Sequence, residues 1–117
     1  MKTLILTLLL SVSCFAGTPF SQTSNDVATA GTAERISSAD LTVLGAIIQA
    51  KPGNTGNIFI GDSSVSSSVY GVVLDAGESL NLSMDVAKPG SAGFNLYDMY
   101  IDTDNSTDGV TVLYFTK

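Results

Sequence analysis

Leu80-Asn81-Leu82-Ser83-Met84-Asp85-Val86 alternates apolar and polar residues without a break. Successive side chains of a strand point to opposite faces, so this period of two belongs to a strand with one face buried and the other wet. Leu80, Leu82, Met84 and Val86 are expected to point inward, and Asn81, Ser83 and Asp85 outward. Lys88-Pro89-Gly90 then breaks the pattern.

Short apolar runs bounded by turn residues recur on both sides of this segment. Leu41 to Ala50 is rich in branched apolar residues and runs into Lys51-Pro52-Gly53-Asn54. The β-branched Val43, Ile47 and Ile48 favour a strand over a helix capped by Ser38 or Asp40. Asn57 to Gly61 follows as a second strand, and the short K-P-G-N-T-G connection implies an antiparallel hairpin between the two. Asp62 to Ser68 is a polar loop, and Val69 to Leu74 a strand closed by Asp75-Ala76-Gly77-Glu78. Phe94 to Ile101 and Val110 to Thr116 read as the last strands, with a turn from Asp102 to Gly109 between them. Ala33 to Ser37 is a possible seventh. The expected fold class is all-β: a single small antiparallel β-sandwich or barrel of six to seven short strands.

Ahead of this β domain (33–117) lie two segments of different character. Residues 1–16 form an apolar N-terminal leader, with Lys2 before the run Leu4 to Val12 and a small-x-small sequence at Cys14-Phe15-Ala16. This matches a secretory signal peptide. A lipidated Cys14, or a buried strand or anchor of an assembled particle, are the other readings. Residues 17–32, GTPFSQTSNDVATAGT, lack apolar periodicity. They are expected to be a linker or an extended arm packed on another copy or on a host particle.

Composition narrows the chemistry. The 117-residue chain has no His, no Trp, a single Cys in the leader, eleven acids against five bases and a formal charge of −6. The missing imidazole removes the usual general base, and no G-x-S-x-G elbow is present. Acidity disfavours nucleic acid and anionic membrane surfaces as partners. No catalytic, cofactor-binding or metal-ligating residue is assigned, and no cofactor is expected. The nearest approach to a metal site is Asp102-Thr103-Asp104-Asn105-Ser106-Thr107-Asp108-Gly109. As an EF-hand loop it lacks Gly at its sixth position, occupied by Thr107, and Glu at its twelfth, occupied by Leu113. A hairpin loop stabilised by Asp and Asn side chains is the simpler reading. Gly53-Asn54-Thr55-Gly56 and Gly90-Ser91-Ala92-Gly93 are turn glycines. Asn81-Leu82-Ser83 and Asn105-Ser106-Thr107 match the glycan acceptor triplet, a pattern frequent by chance. Phe94, Tyr97, Tyr100, Tyr114 and Phe115 suit a sandwich core better than a carbohydrate platform.

Several segments, taken in order, resemble small structural proteins of tailed bacteriophages. They are Ala28-Thr29-Ala30-Gly31-Thr32-Ala33, Ala46 to Ala50 followed by Asn54 to Val65, Leu74-Asp75-Ala76-Gly77-Glu78-Ser79-Leu80, and Leu96-Tyr97-Asp98-Met99-Tyr100-Ile101. The resemblance covers roughly residues 28–117. It implies a decoration, head-fibre or tail-associated protein of the virion, without catalytic residues, whose partners are other virion proteins or copies of itself in a homo-oligomer, with a trimer as its implied form. The leader departs from this family and fits the alternative, a secreted bacterial β-sandwich module that binds a surface or a glycan.

The strand register at Leu82 is testable by thermal denaturation. Leu82→Ala should cost about 2–4 kcal/mol, and Ser83→Ala should be near neutral. Equal losses from both would refute the register.

Overall fold

The computed structural model describes residues 20–83 and 93–116. Ten strands follow in chain order: β1 (Phe20–Asp26), β2 (Glu34–Arg35), β3 (Thr42–Val43), β4 (Gly45–Ala50), β5 (Ile58–Gly61), β6 (Val72–Leu74), β7 (Ser79–Ser83), β8 (Phe94–Asn95), β9 (Tyr100–Thr103) and β10 (Gly109–Phe115). All pairings are antiparallel. One sheet has the order β1-β10-β4-β7 and a second β2-β9-β5-β6, while β3 and β8 make a short ribbon. The fold is an all-β sandwich; among the described residues neither sheet closes into a barrel.

Alternation along each strand builds the core. Ala46, Ile48 and Ala50 of β4 and Val110 and Val112 of β10 point inward from the first sheet. Ile58 and Ile60 of β5, Leu74 of β6 and Ile101 of β9 meet them from the second. Leu96, in a single 3-10 turn (Leu96–Asp98), is fully buried beside them. Removing each of these Val, Leu and Ile side chains from water is worth about 1.5–3 kcal/mol. In β7 the exposed residues Ser79, Asn81 and Ser83 alternate with half-buried Leu80 and Leu82, which pack on the core, as their spacing requires. Met84, Asp85 and Val86 lie outside the described residues, as do residues 1–16.

Three expectations need correction. The K-P-G-N-T-G segment is not a hairpin loop. Both edges of β4 are occupied, by β10 and β7, so the chain leaves its sheet and β5 pairs with β6 and β9 in the other. Residues 104–108 likewise carry the chain from β9 in the second sheet to β10 in the first, and do not form a hairpin. Part of the 17–32 segment is a strand of the domain itself. Residues Phe20 to Asp26 pair along their whole length with Phe115 to Gly109 of the same chain. Three strand bounds also shift. Leu41 to Ala50 divides at Leu44 into β3 and β4. Phe94 to Ile101 is split by the 3-10 turn, where the Asn95 side chain accepts from the Tyr97 amide. The 69–74 strand begins at Val72, leaving Val69 and Tyr70 in the loop, where the Tyr70 ring covers Phe59 at a centroid distance of 5.3 Å.

Depth in the sandwich should rank substitutions. Ile48 is fully buried at the centre of the first sheet, so Ile48→Ala should cost about 3–5 kcal/mol. Leu82, half-buried on the edge strand β7, should fall at the low end of its range. Chemical denaturation of the two variants checks this order.

Candidate functional site

The acidic 102–109 segment, the closest the sequence comes to a site, is a hydrogen-bonding hub at one end of the sandwich. Asp108 is buried. Its carboxylate accepts from the Gly56 amide at 2.8 Å and from the Thr55 amide at 3.1 and 3.2 Å. Asp104 accepts from the Asn57 amide at 3.1 Å. Asp102, also buried, accepts from the amides of Gly31 and Thr103, both at 2.8 Å. Ser106 Oγ accepts from the Ala30 amide at 3.0 Å. Asn54 acts as a substitute strand partner: its Nδ2 donates to the Gly109 carbonyl at 2.8 Å and its Oδ1 accepts from the Gly109 amide at 3.0 Å. Gly109 itself has no room for a side chain, since a Cβ there would run into Asn25 and Asp26 of β1.

The alternating carboxylates therefore satisfy backbone N–H groups of two crossing segments, 28–32 and 54–57. These donors are exposed or half-buried, and bonds to a charged acceptor are the stronger kind. Thr107 sits in the left-handed region at φ 74°, unusual for a β-branched residue. Its amide donates to the Val27 carbonyl at 2.8 Å, which holds the tip of the loop against 27–32. Among the described residues no three acids or cysteines cluster in a way that fits a metal ion. No buried side-chain nitrogen or oxygen there lacks a hydrogen-bond partner.

Two of the segments that carry the bacteriophage resemblance, 28–33 and 54–56, come together here against the loop that leads out of β9. The run of alternating Asp marks the loop in the sequence. Nothing marks Asn54 or Gly31, because their partners lie 55 and 71 residues away.

The aromatic residues do not assemble into one platform. Phe94 and Tyr114 pack on the core. Arg35 lies over the Tyr97 ring at 3.6 Å and near Tyr100 at 4.8 Å, while its guanidinium donates to the Tyr97 carbonyl at 2.5 Å. Phe115 lies outside the core and pairs with Phe20, their centroids 6.0 Å apart. Asn81 faces outward on β7 and Asn105 is exposed in the hub loop.

Two exposed carboxyls titrate away from their ordinary ranges. Asp62 is lowered by the Ser64 hydroxyl and amide. Glu78 is raised by its hydrogen bond to Asp75 and by that residue's negative charge. The Asp62 contribution is therefore present above its unfolded pKa and lost as pH falls through the folded value. The Glu78 contribution is present at acidic pH and lost as pH rises. Both groups are in solvent, so neither dominates stability.

No protein family, no curated protein and no solved structure matches the chain. No helix among the described residues is long and apolar enough to cross a membrane.

Asp108→Ala should destabilise the fold by about 1–3 kcal/mol, because it removes a charged acceptor from the Thr55 and Gly56 amides, at about 1.5–3 kcal/mol for a bond to a charged group and less where water reaches the donor. Calcium at millimolar concentration should leave the melting temperature of the unmodified protein unchanged. A melting temperature that climbs with calcium would show that the carboxylates prefer a cation to the amides.

Proposed function

We propose that this chain is a non-enzymatic structural component of a bacteriophage particle: a decoration, head-fibre or tail-associated protein. Its partners are other virion proteins or further copies of itself. The observation that carries the reading is the hub. The acidic and amide side chains that would be the raw material of a site are bonded to the chain's own backbone, Asp108 to Thr55 and Gly56 and Asn54 to Gly109. Side chains so committed serve to hold a shape, and a shape-holding module is what the phage resemblance implies. The apolar outer positions of the first sheet, described below, fit a protein that meets others by surface contact.

A second reading has one specific observation in its favour. Lys2, the apolar run Leu4 to Val12 and the Cys14-Phe15-Ala16 sequence have the order of an export signal. Under it the chain is a secreted bacterial β-sandwich module that binds a surface or a glycan.

Mass spectrometry of the native protein separates the two. A virion protein is expected in purified particles with Met1 retained. Its absence from particles, together with a form starting at Gly17 in culture medium, would replace the first reading by the second.

A further inference from the structure

The outer face of the first sheet is apolar at its centre and almost free of charge. The strand registers place its outward residues in rows. Gln22, Leu113, Ile47 and Asn81 form one row across β1, β10, β4 and β7. Ser24, Thr111, Gln49 and Ser79 form the next, and Phe20, Phe115, Gly45 and Ser83 a third. Leu113 and Ile47, direct cross-strand neighbours, are 45% and 41% exposed, and Phe20 is 60% exposed. The Phe115 ring lies over Gly45, where a Cβ would strike it, so the aromatic ring is spread flat across the face. Among the outward positions of these strands the one charged residue is Asp26, at the rim, and Lys51 neutralises it at 2.5 Å.

We propose that this face is a self-association surface on which a second copy of the chain packs, sheet against sheet, about a two-fold axis. Charge selects the occupant. The chain carries −6 overall, and its described acids sit in loops, at sheet edges and on the second sheet. Two copies approaching by most other surfaces would oppose like charges. Contact through the neutral face keeps those charges apart, whereas a cationic partner would gain nothing there. Aligned sheets pack about 10 Å apart through side chains such as Ile, Leu, Thr and Ser. A self-complementary face closes on itself as a dimer and does not propagate. Four strands about 4.8 Å apart and seven residues at about 3.4 Å each give a footprint of about 19 by 24 Å. That is about 900 Å² over both copies, in the range of weak, transient interfaces, so the dimer should be concentration-dependent.

The inference rests on the reading of the chain as an assembling structural protein, yet the two fail separately. Particle composition tests the one, and the mass of the isolated protein the other. Sedimentation velocity of the full chain over a range of concentrations should show a shift from one chain to two. Leu113→Asp and Thr111→Lys should each hold the protein at one chain, with far-ultraviolet circular dichroism unchanged. Both sites are exposed, so either variant alone suffices if the other fails to fold. Val73→Asp, on the outer face of the second sheet, should dimerise as the parent does. A parent that stays at one chain throughout, or reaches three, overturns the two-fold pairing. Association that persists in the folded Leu113→Asp or Thr111→Lys variant overturns the assigned face.

Discussion

The bond between the buried Asp108 carboxylate and the Thr55 and Gly56 amides answers a constraint set by the topology. Of the connections between consecutive strands, β5 to β6 alone joins neighbours in the same sheet. The others carry the chain from one sheet to another or through the β3–β8 ribbon. A hairpin turn satisfies its backbone groups through the ladder it closes, and a crossover has no such ladder. Its amides still need acceptors. In this chain the acceptors are short side chains from the β9–β10 crossover and the end of β9: Asp108 and Asp104 for 55–57, Asp102 and Ser106 for 30–31. The loops at this end hold one another, and the sheets hang between them.

This division explains what could be read from the sequence. Strands were legible wherever one face is buried, as at Leu80 and Leu82 or Val110 and Val112, because apolar periodicity reports which side chains leave water. Turn residues located the strand ends, as at Lys51-Pro52-Gly53-Asn54. Neither signal says which sheet receives the next strand, and so two crossovers looked like hairpins. Strand β1 was missed for a related reason. Its inward positions are Thr23 and Asn25, and its outward ones mostly polar, so it has no apolar alternation. Its place is set by pairing with β10, and Asn25 Nδ2 also donates to the Arg35 carbonyl at 2.6 Å. The carboxylates of the hub stood out as a pattern. Their roles did not, since a regularly spaced Asp run looks the same whether it faces a cation or an amide.

The sandwich also separates its charges from its apolar surface. Aspartates cluster at the crossovers, where they accept from backbone amides, or stand at exposed turns such as Asp75 to Glu78. Lys51 and Arg35, two of the five bases, are tied to Asp26 and to the Tyr97 and Tyr100 rings. The exposed Lys51–Asp26 pair contributes little to stability. Its effect is to neutralise the rim of a face whose other described outward side chains are hydroxyls, amides and hydrocarbon.

The first sheet is consequently polarised along its strands. Antiparallel pairing sets Asp26 opposite Gly109 at one end and Phe20 opposite Phe115 at the other, with Leu113 and Ile47 between. The end at Gly109 is locked into the hub by Asn54, where a side chain at residue 109 would collide with β1. The end at Phe20 presents an aromatic pair. A hydrogen-bonded pole and an apolar pole on the same strands divide two tasks. One fixes the geometry of the face, and the other supplies surface whose burial is favourable without demanding oriented bonds. On the pairing proposed above, a face whose geometry the strand ladder and the hub already fix would meet a second copy at a lower ordering cost.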